Sequence, residues 1–346
     1  MPARSQSHQI TPERIFDLLQ AYRNSAALKT AIDLDIFSHI GAGIVTAADL
    51  ADELKIPVRG MRILCDFLTT DGLLIKTGDH YALNADAAVF LDRKSPAYMG
   101  GAARFLCSTP MMRAFDNLID CVRRGGATEE VGLISQEHPV WVDFAHGMAA
   151  LQALPAQNLS EFIDLPCDRP IKILDIAAGH GRFGIALAAR YPNATVFALD
   201  WPAVLNVARK NADDAALGSR FETIAGSAFE VDLGDGYDAV LLVNFLHHFG
   251  IDEIATLFGR IRPALNAGGL LVIAGFMPNE DRISPPQAAR FSLSVMASTP
   301  KGEAYTAGEL KGMLEAAGFS YIADKPMSSG LQRLITAQSP GGGGCC

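Results

Sequence analysis

Apolar positions along this chain follow two regimes. In the first half they recur at helical spacing. Ile15, Leu18, Leu19, Tyr22 and Ala26 follow Thr11-Pro12-Glu13-Arg14, a start signal with Thr as N-cap and Pro in the first turn. Further helices are predicted over 27–40, 47–54 and 58–70. They are punctuated by Gly41-Ala42-Gly43, by Thr46 as a cap, by Pro57 and by the turn Asp71-Gly72. Two short extended pieces, 73–75 and 81–83, come next. Residues from about 95 to 165 are again helical by pattern and rich in large apolar side chains, among them Met99, Phe105, Met111, Met112, Phe115, Trp141, Phe144 and Met148. In the second half apolar runs alternate with amphipathic ones. Strands are predicted over 171–176, 195–199, 221–225, 237–243 and 269–276, and helices over 182–190, 203–213, 252–265 and 306–317. That alternation implies an α/β class with a parallel, doubly wound sheet.

These patterns divide the chain. Pro166 and Pro170 flank Cys167, Asp168 and Arg169 and mark a boundary. Residues 11–95 form a mainly α domain, 96–165 a helical linker that contributes to a pocket, 166–338 an α/β domain, and 339–346 a flexible tail. The first ten residues are expected to be disordered. Short helices followed by a hairpin make a winged helix. Its helix over 58–70 offers only Arg59 and Arg62 as cations, against Asp66 and Asp71. Phosphate contact needs more positive charge than this, so dimerisation is the favoured role.

Composition sharpens the picture. The 346 residues carry 38 acidic and 29 basic side chains, a net charge of −9, which argues against a nucleic-acid partner. With 49% apolar and 19% charged residues the chain is too apolar for intrinsic disorder. No apolar run reaches the ~18 residues of a membrane helix, and the N-terminus lacks the apolar core of a secretion signal. A soluble, cytoplasmic protein acting on small molecules is expected. Cys65, Cys107, Cys121 and Cys167 form no C-x-x-C pair and no His cluster accompanies them, so buried reduced thiols are expected and no metal site. Cys345 and Cys346 end a glycine-rich tail without the polybasic stretch that would support lipidation.

Chemistry concentrates in the segment Leu174-Asp175-Ile176-Ala177-Ala178-Gly179-His180-Gly181-Arg182-Phe183-Gly184. It joins a predicted strand to a predicted helix at the first crossover of the sheet. Gly179 and Gly181 allow positive φ and close approach of backbone to a ligand. The next strand ends in Asp200, an acid placed to hydrogen-bond ribose hydroxyls. Two nucleotide ligands fit. A dinucleotide would set its pyrophosphate on the helix N-terminus. S-adenosylmethionine has no phosphate and needs closeness more than anion binding. His247 and His248 follow the fourth strand of this half, at the edge where such sheets bind ligands, and an imidazole there can take a proton at neutral pH.

The loop Asp175 to Gly184 resembles motif I of class I S-adenosylmethionine-dependent methyltransferases. From about residue 11 to 338 the chain is similar to bacterial small-molecule O-methyltransferases of the acetylserotonin, caffeate and hydroxyneurosporene type. Leu34-Asp35-Ile36-Phe37, Asp71-Gly72-Leu73-Leu74, Phe245-Leu246-His247-His248-Phe249, Pro278-Asn279-Glu280-Asp281-Arg282 and Glu315-Ala316-Ala317-Gly318-Phe319 carry the likeness. The resemblance implies a Rossmann-like methyltransferase sheet behind an N-terminal winged-helix dimerisation domain, and a homodimer. It implies S-adenosylmethionine as cofactor, with S-adenosylhomocysteine as product. Gly179 and Gly181 would pass under the methionine part, Asp200 would hold the ribose, and Trp201 would pack on the adenine. Gly226, Ser227 and Ala228 stand where the family often has Gly-Asp-aromatic, and Asn244 would face the cofactor near the reacting centre. His247 matches the general base.

The family frequently carries a carboxylate at the end of the fifth strand to orient that histidine. Here the residues are Ala274-Gly275-Phe276. Glu280 and Asp281, a few residues on, are candidates to replace it. Phe105, Trp141, Phe144, Met148, His248, Phe291 and Met296 are expected to line the acceptor pocket, with His138 and His146 as lesser candidates. The expected activity is methyl transfer to a hydroxyl of a small aromatic or polyketide-like compound. Alternatives are carbon or nitrogen methylation, non-methylating chemistry on the same fold, and a winged-helix regulator that senses S-adenosylmethionine.

Overall fold

The structure, a computed structural model, describes residues 10–128, 138–327 and 332–340. The expected disorder of the N-terminus and the Cys345-Cys346 tail lie outside the described residues, apart from Ile10, Ser339 and Pro340. The chain divides into two compact units, 1–103 and 104–346.

The first unit is mainly helical. Helices Glu13–Gln20, Tyr22–Asp33, Ile36–Gly41, Ala47–Leu54 and Val58–Thr70 precede an antiparallel hairpin of β1 (Leu74–Thr77) and β2 (His80–Leu83). Its core gathers Ala31, Ile36, Phe37, Leu50, Met61, Leu68 and Tyr81. The predicted caps hold at Thr46, whose hydroxyl accepts from the Asp49 N–H. Two predictions fail locally. Thr11 does not cap the first helix, which starts after Pro12 without a side-chain cap. The helix expected over 27–40 is broken, because Asp35 takes a left-handed φ of 55°. The Asp35 carboxylate accepts from Ser38 at 2.7 Å and from Arg93 at 2.9 Å, and these bonds hold a conformation that a non-glycine residue adopts at a cost. On helix Val58–Thr70, Arg62 donates to Asp66, which also takes Lys76 and the Tyr81 hydroxyl.

In the second unit, helices Thr109–Asp116, Leu118–Arg124, Val140–Met148 and Ala153–Phe162 precede a seven-stranded sheet. Its strands are β3 (Ile171–Ile176), β4 (Ala194–Asp200), β5 (Phe221–Ala225), β6 (Tyr237–Val243), β7 (Leu265–Gly275), β8 (Ser320–Pro326) and β9 (Arg333–Gln338), in the order β5-β4-β3-β6-β7-β9-β8. The five predicted strands pair in parallel. The sheet is not parallel throughout, however. β9 runs antiparallel to β7 and to β8, and neither strand was expected. β8 is a largely exposed edge strand with little apolar alternation to announce it. Helix Pro286–Ser298 was also unforeseen.

Helices cover both faces. Ala153–Phe162, Arg182–Arg190 and Pro202–Asp214 bury one set of strand side chains, including Ile173, Val196 and Leu241. Ile251–Ala264 and Ala307–Ala316 bury the other, including Leu174, Val240 and Ile273. Burial on both faces is why the central strands read as continuous apolar runs. Thr306 closes a capping box with Glu309 at the start of the last helix. Among the described residues no helix is long and apolar enough to cross a membrane. Cys65 and Cys121 are buried thiols, but Cys167 is exposed in the proline-flanked loop, against expectation.

Candidate active site

β3 and β6 are neighbours where the strand order reverses. Open α/β sheets bind ligands outside the carboxyl ends of strands at such a point. The glycine loop leaves from β3 there, and Asn244 to His248 leave from β6.

Ala177, Gly179 and Gly181 all have positive φ, at 56°, 57° and 72°. The two glycines differ in what surrounds them. A Cβ on Gly179 would meet only the Phe144 ring, at 3.5 Å, and the Ala177 carbonyl, at 3.9 Å. A Cβ on Gly181 would press on Ala208 and Phe221 at 3.2 and 3.3 Å. Gly181 thus serves helix packing, while Gly179 keeps the backbone open in front of the strand. Asp200, at the end of β4, secures the loop. Its Oδ2 accepts from the Gly179 N–H at 2.8 Å, and its Oδ1 from the Trp201 N–H at 2.7 Å. Burial pushes its carboxyl up to about 6, against these two bonds. Asp175 lies beneath, 2% exposed, accepting from the Gly184 N–H. Burial pushes it up to about 7, and the Asp200 charge adds to the rise.

The next loop closes the same edge. The Gly226 N–H donates to the Asp200 carbonyl at 3.0 Å, and the Ser227 hydroxyl accepts from the Phe229 N–H. Ala228 is buried in the core, with its carbonyl bound by Arg260. Trp201 packs beside Trp141 on a cluster of Ala145, Val204 and Val207.

Beyond β6, Asn244 has φ of 52° and donates its N–H to the Ala274 carbonyl at 2.8 Å. Leu246–His248 form one 3-10 turn. The ring centroids of His247 and His248 are 4.2 Å apart. His247 meets Phe291 edge to face at 4.8 Å, and His248 meets Trp141 at 5.6 Å. Burial holds His247 well below the ordinary imidazole range, with His248 adding to the shift. It brings His248 down to about 4. Both are therefore neutral at pH 7. Among the described residues the buried Nδ1 of His248 has no hydrogen-bond partner.

The expected pocket residues form one aromatic group. Phe105 touches Trp141 and Phe144, at 6.3 and 5.1 Å, and Phe291 touches Phe276. Met148 and Met296 are half-buried on the helices that carry Phe144 and Phe291. The His138 ring accepts from the Val140 N–H just before its helix, and His146 is exposed. Glu280 and Asp281 do not reach His247. Glu280 binds Thr306 and the Gly308 N–H, while Asp281 binds Ser284 and the Ile283 N–H. Their chemistry as helix and turn caps decides this.

Three residues escaped the sequence reading. His180, 3% exposed, stacks on Phe144, and its Nδ1 accepts from the Arg182 N–H. Burial brings it down to about 3. Gly302 packs so closely that a Cβ there would lie 2.2 Å from the His247 carbonyl oxygen. Gln332, 4% exposed, donates from Nε2 to Asn244 Oδ1 at 3.0 Å. Position between two glycines could have flagged His180. Nothing local marks the other two.

Comparison with known proteins agrees with this layout. Residues 121–320 match an O-methyltransferase domain, and residues 16–93 an O-methyltransferase dimerisation domain. A crystallised protein of Nostoc punctiforme PCC 73102 is 44% identical, with a TM-score of 0.91 over 95% of this chain and 99% of that one. The 3-hydroxy-5-methyl-1-naphthoate 3-O-methyltransferase of Streptomyces sahachiroi is 27% identical over 96% of this chain and 94% of its own. Human N-acetylserotonin methyltransferase, solved with S-adenosylmethionine, shares the fold at a TM-score of 0.84 and 20% identity, over 97% of this chain and all of that one. With an O-methyltransferase domain over residues 121–320 that follows a dimerisation domain in the sequence, the chain belongs to the O-methyltransferase family.

Proposed function

We propose that this protein transfers a methyl group from S-adenosylmethionine to a hydroxyl of a small aromatic or polyketide-type metabolite, as a homodimer. The observation that carries the reading is the loop after β3, held open at Gly179 and tied to the Asp200 carboxylate. The donor set suits this cofactor. A carboxylate at the end of β4 suits ribose hydroxyls, Trp201 offers a flat surface for adenine, and Ser227 has a hydroxyl proton to donate. A side chain at Gly179 would fill the cradle. When bound, S-adenosylmethionine supplies a sulfonium methyl open to in-line attack, and S-adenosylhomocysteine is left.

The remaining chemistry belongs to the chain. His247 accepts the hydroxyl proton. Being neutral at pH 7 it has a lone pair to offer, and being held below its ordinary pKa it is a weak base. The acceptor is therefore an acidic phenol or enol rather than an aliphatic alcohol. The naphthoate specificity of the Streptomyces relative supports an aromatic acceptor. Among the described residues no carboxylate hydrogen-bonds His247. The rings of Phe291 and His248 hold it instead. The aromatic group of Phe105, Trp141 and Phe144 excludes water and orients a flat molecule. The absence of an acid at Ala274-Gly275 favours, as a second reading, non-methylating chemistry on the same cofactor.

Calorimetry should show micromolar binding of S-adenosylhomocysteine, and its absence at millimolar ligand would overturn the reading. His247→Ala is expected to keep that affinity and to lower turnover at least ~100-fold. Turnover should not fall as pH drops from about 8 to the ordinary imidazole value of 6.5, since burial holds His247 neutral well below it. Unchanged turnover in His247→Ala would remove the base. Recovery of unmethylated product from a phenol would favour the second reading.

A further inference from the structure

At the end of β7, beside Ala274-Gly275, an amide pair bridges the sheet. Asn244 follows Val243, which is in register with Ala274. Gln332 precedes Arg333, which is in register with Gly275. Gly275 lies between them, and a Cβ there would sit 3.7 Å from Asn244 Oδ1. The bare glycine leaves the gap across which Gln332 Nε2 donates to that oxygen at 3.0 Å. Gln332 is 4% exposed, and its own carbonyl is fixed by the Met327 N–H. The Asn244 backbone is fixed as well, in a left-handed conformation tied to Ala274. Only the side-chain amide of Asn244 could rotate, and Gln332 decides which end it presents. With Oδ1 engaged, Nδ2 makes no hydrogen bond among the described residues and is not a buried orphan. Asn244 is half-buried where its loop leaves β6, next to the strand from which the glycine loop leaves.

We infer that Gln332 is a positioning residue. It holds Asn244 with the amino group outward, so that Asn244 reads a hydrogen-bond-accepting oxygen on a ligand at the reacting centre. The inference rests on the proposed methyl transfer for the identity of the ligands. Two sources carry such an oxygen: the cofactor, and the methyl acceptor beside its reacting hydroxyl. A donor at this place also discriminates, because a ligand without an oxygen there leaves a partly desolvated N–H unpaired.

Three variants separate the possibilities. Gln332→Glu can only accept, so Asn244 must turn Nδ2 toward it and present Oδ1 in its place. Asn244→Asp keeps the bond from Gln332 but has no proton to give. Gln332→Met fills the same volume and frees the amide. Calorimetry with S-adenosylhomocysteine reads the cofactor arm. KM and kcat for the phenol that wild type methylates fastest in a panel read the acceptor arm. Asn244→Asp and Gln332→Glu are expected to worsen the same parameter, each at least ~10-fold, with Gln332→Met milder. A weaker S-adenosylhomocysteine complex assigns the oxygen to the cofactor. A raised KM with unchanged affinity assigns it to the acceptor.

Full function in Gln332→Glu beside an impaired Asn244→Asp overturns the inference. So does parallel loss of melting temperature in the Glu and Met variants without the matched shift. If wild type methylates no phenol in the panel, the calorimetric arm decides alone, and an unchanged affinity in Asn244→Asp overturns the inference. Failure of wild type to bind S-adenosylhomocysteine refutes the proposed function instead.

Discussion

The residues that shape this site are mostly ionisable groups taken out of water. Asp175 is the clearest case. Its folded pKa of about 7 lies above the unfolded value of 3.8. A raised pKa contributes stability that is present below the unfolded value and lost as pH rises through the folded one. The charged form is thus a burden above neutrality. His180 and His248 act in the opposite direction, contributing stability above 6.5 that is lost as pH falls toward about 3 and about 4. Comparison within one variant separates them. Asp175→Asn keeps an oxygen for the Gly184 N–H and cannot ionise. Its melting temperature should gain on wild type by several degrees more at about pH 8 than at about pH 5, from roughly 2 kcal/mol of differential stability. Equal gains, or losses, at both pH values would refute the assignment. The identity of the loop residues was legible in the sequence because positive φ selects glycine. Their division of labour was not. Gly181 faces Ala208 and Phe221, and those neighbours come from strands and helices later in the chain.

At the scale of elements, strand and helix order in the α/β half was readable because both faces of the central strands are buried. Parallel strands then stand out as apolar runs between amphipathic helices. β8 was missed, since an exposed edge strand has no such signature. β9 was missed although it lies inside the sheet and is largely buried, because its apolar run is short. Helix Pro286–Ser298 matters more for function, because it carries Phe291 to His247 and leads into Thr299 to Gly302. That short segment is clamped. Thr299 Oγ1 accepts from the Gly302 N–H at 2.9 Å, and its carbonyl accepts from the Ala127 N–H at 2.9 Å. A Cβ on Gly302 would collide with the His247 carbonyl and with Thr299 Oγ1. Gly302→Ala must therefore displace the histidine turn. Turnover is expected to fall about 10- to 100-fold, with S-adenosylhomocysteine affinity within about twofold of wild type. A folded variant with full turnover would show that the turn tolerates the shift.

For the whole molecule, the net charge is −9, and on helix Val58–Thr70 Asp66 pairs with Arg62 and Lys76. Among the described residues the apolar face predicted for the first helix stays largely uncovered. Ile15, Leu18, Leu19 and Tyr22 are each more than 60% exposed, and helix Glu13–Gln20 buries no residue. A contiguous apolar face of this kind suits a second copy. Leu19→Glu should sediment as a monomer at micromolar concentration, with unchanged helicity, where wild type sediments as a dimer. A monomeric wild type would refute the homodimer. The sequence by itself determined the helical and α/β halves, the glycine loop, Asp200 and the histidine pair, because these rest on local periodicity and on backbone conformations only certain residues adopt. It could not decide what surrounds the histidine. The cap that removes Glu280, the glycine that packs against the His247 carbonyl and the glutamine that turns Asn244 all come from residues far along the chain. Burial and hydrogen-bond satisfaction at such contacts arise only when the sheet has brought distant segments together.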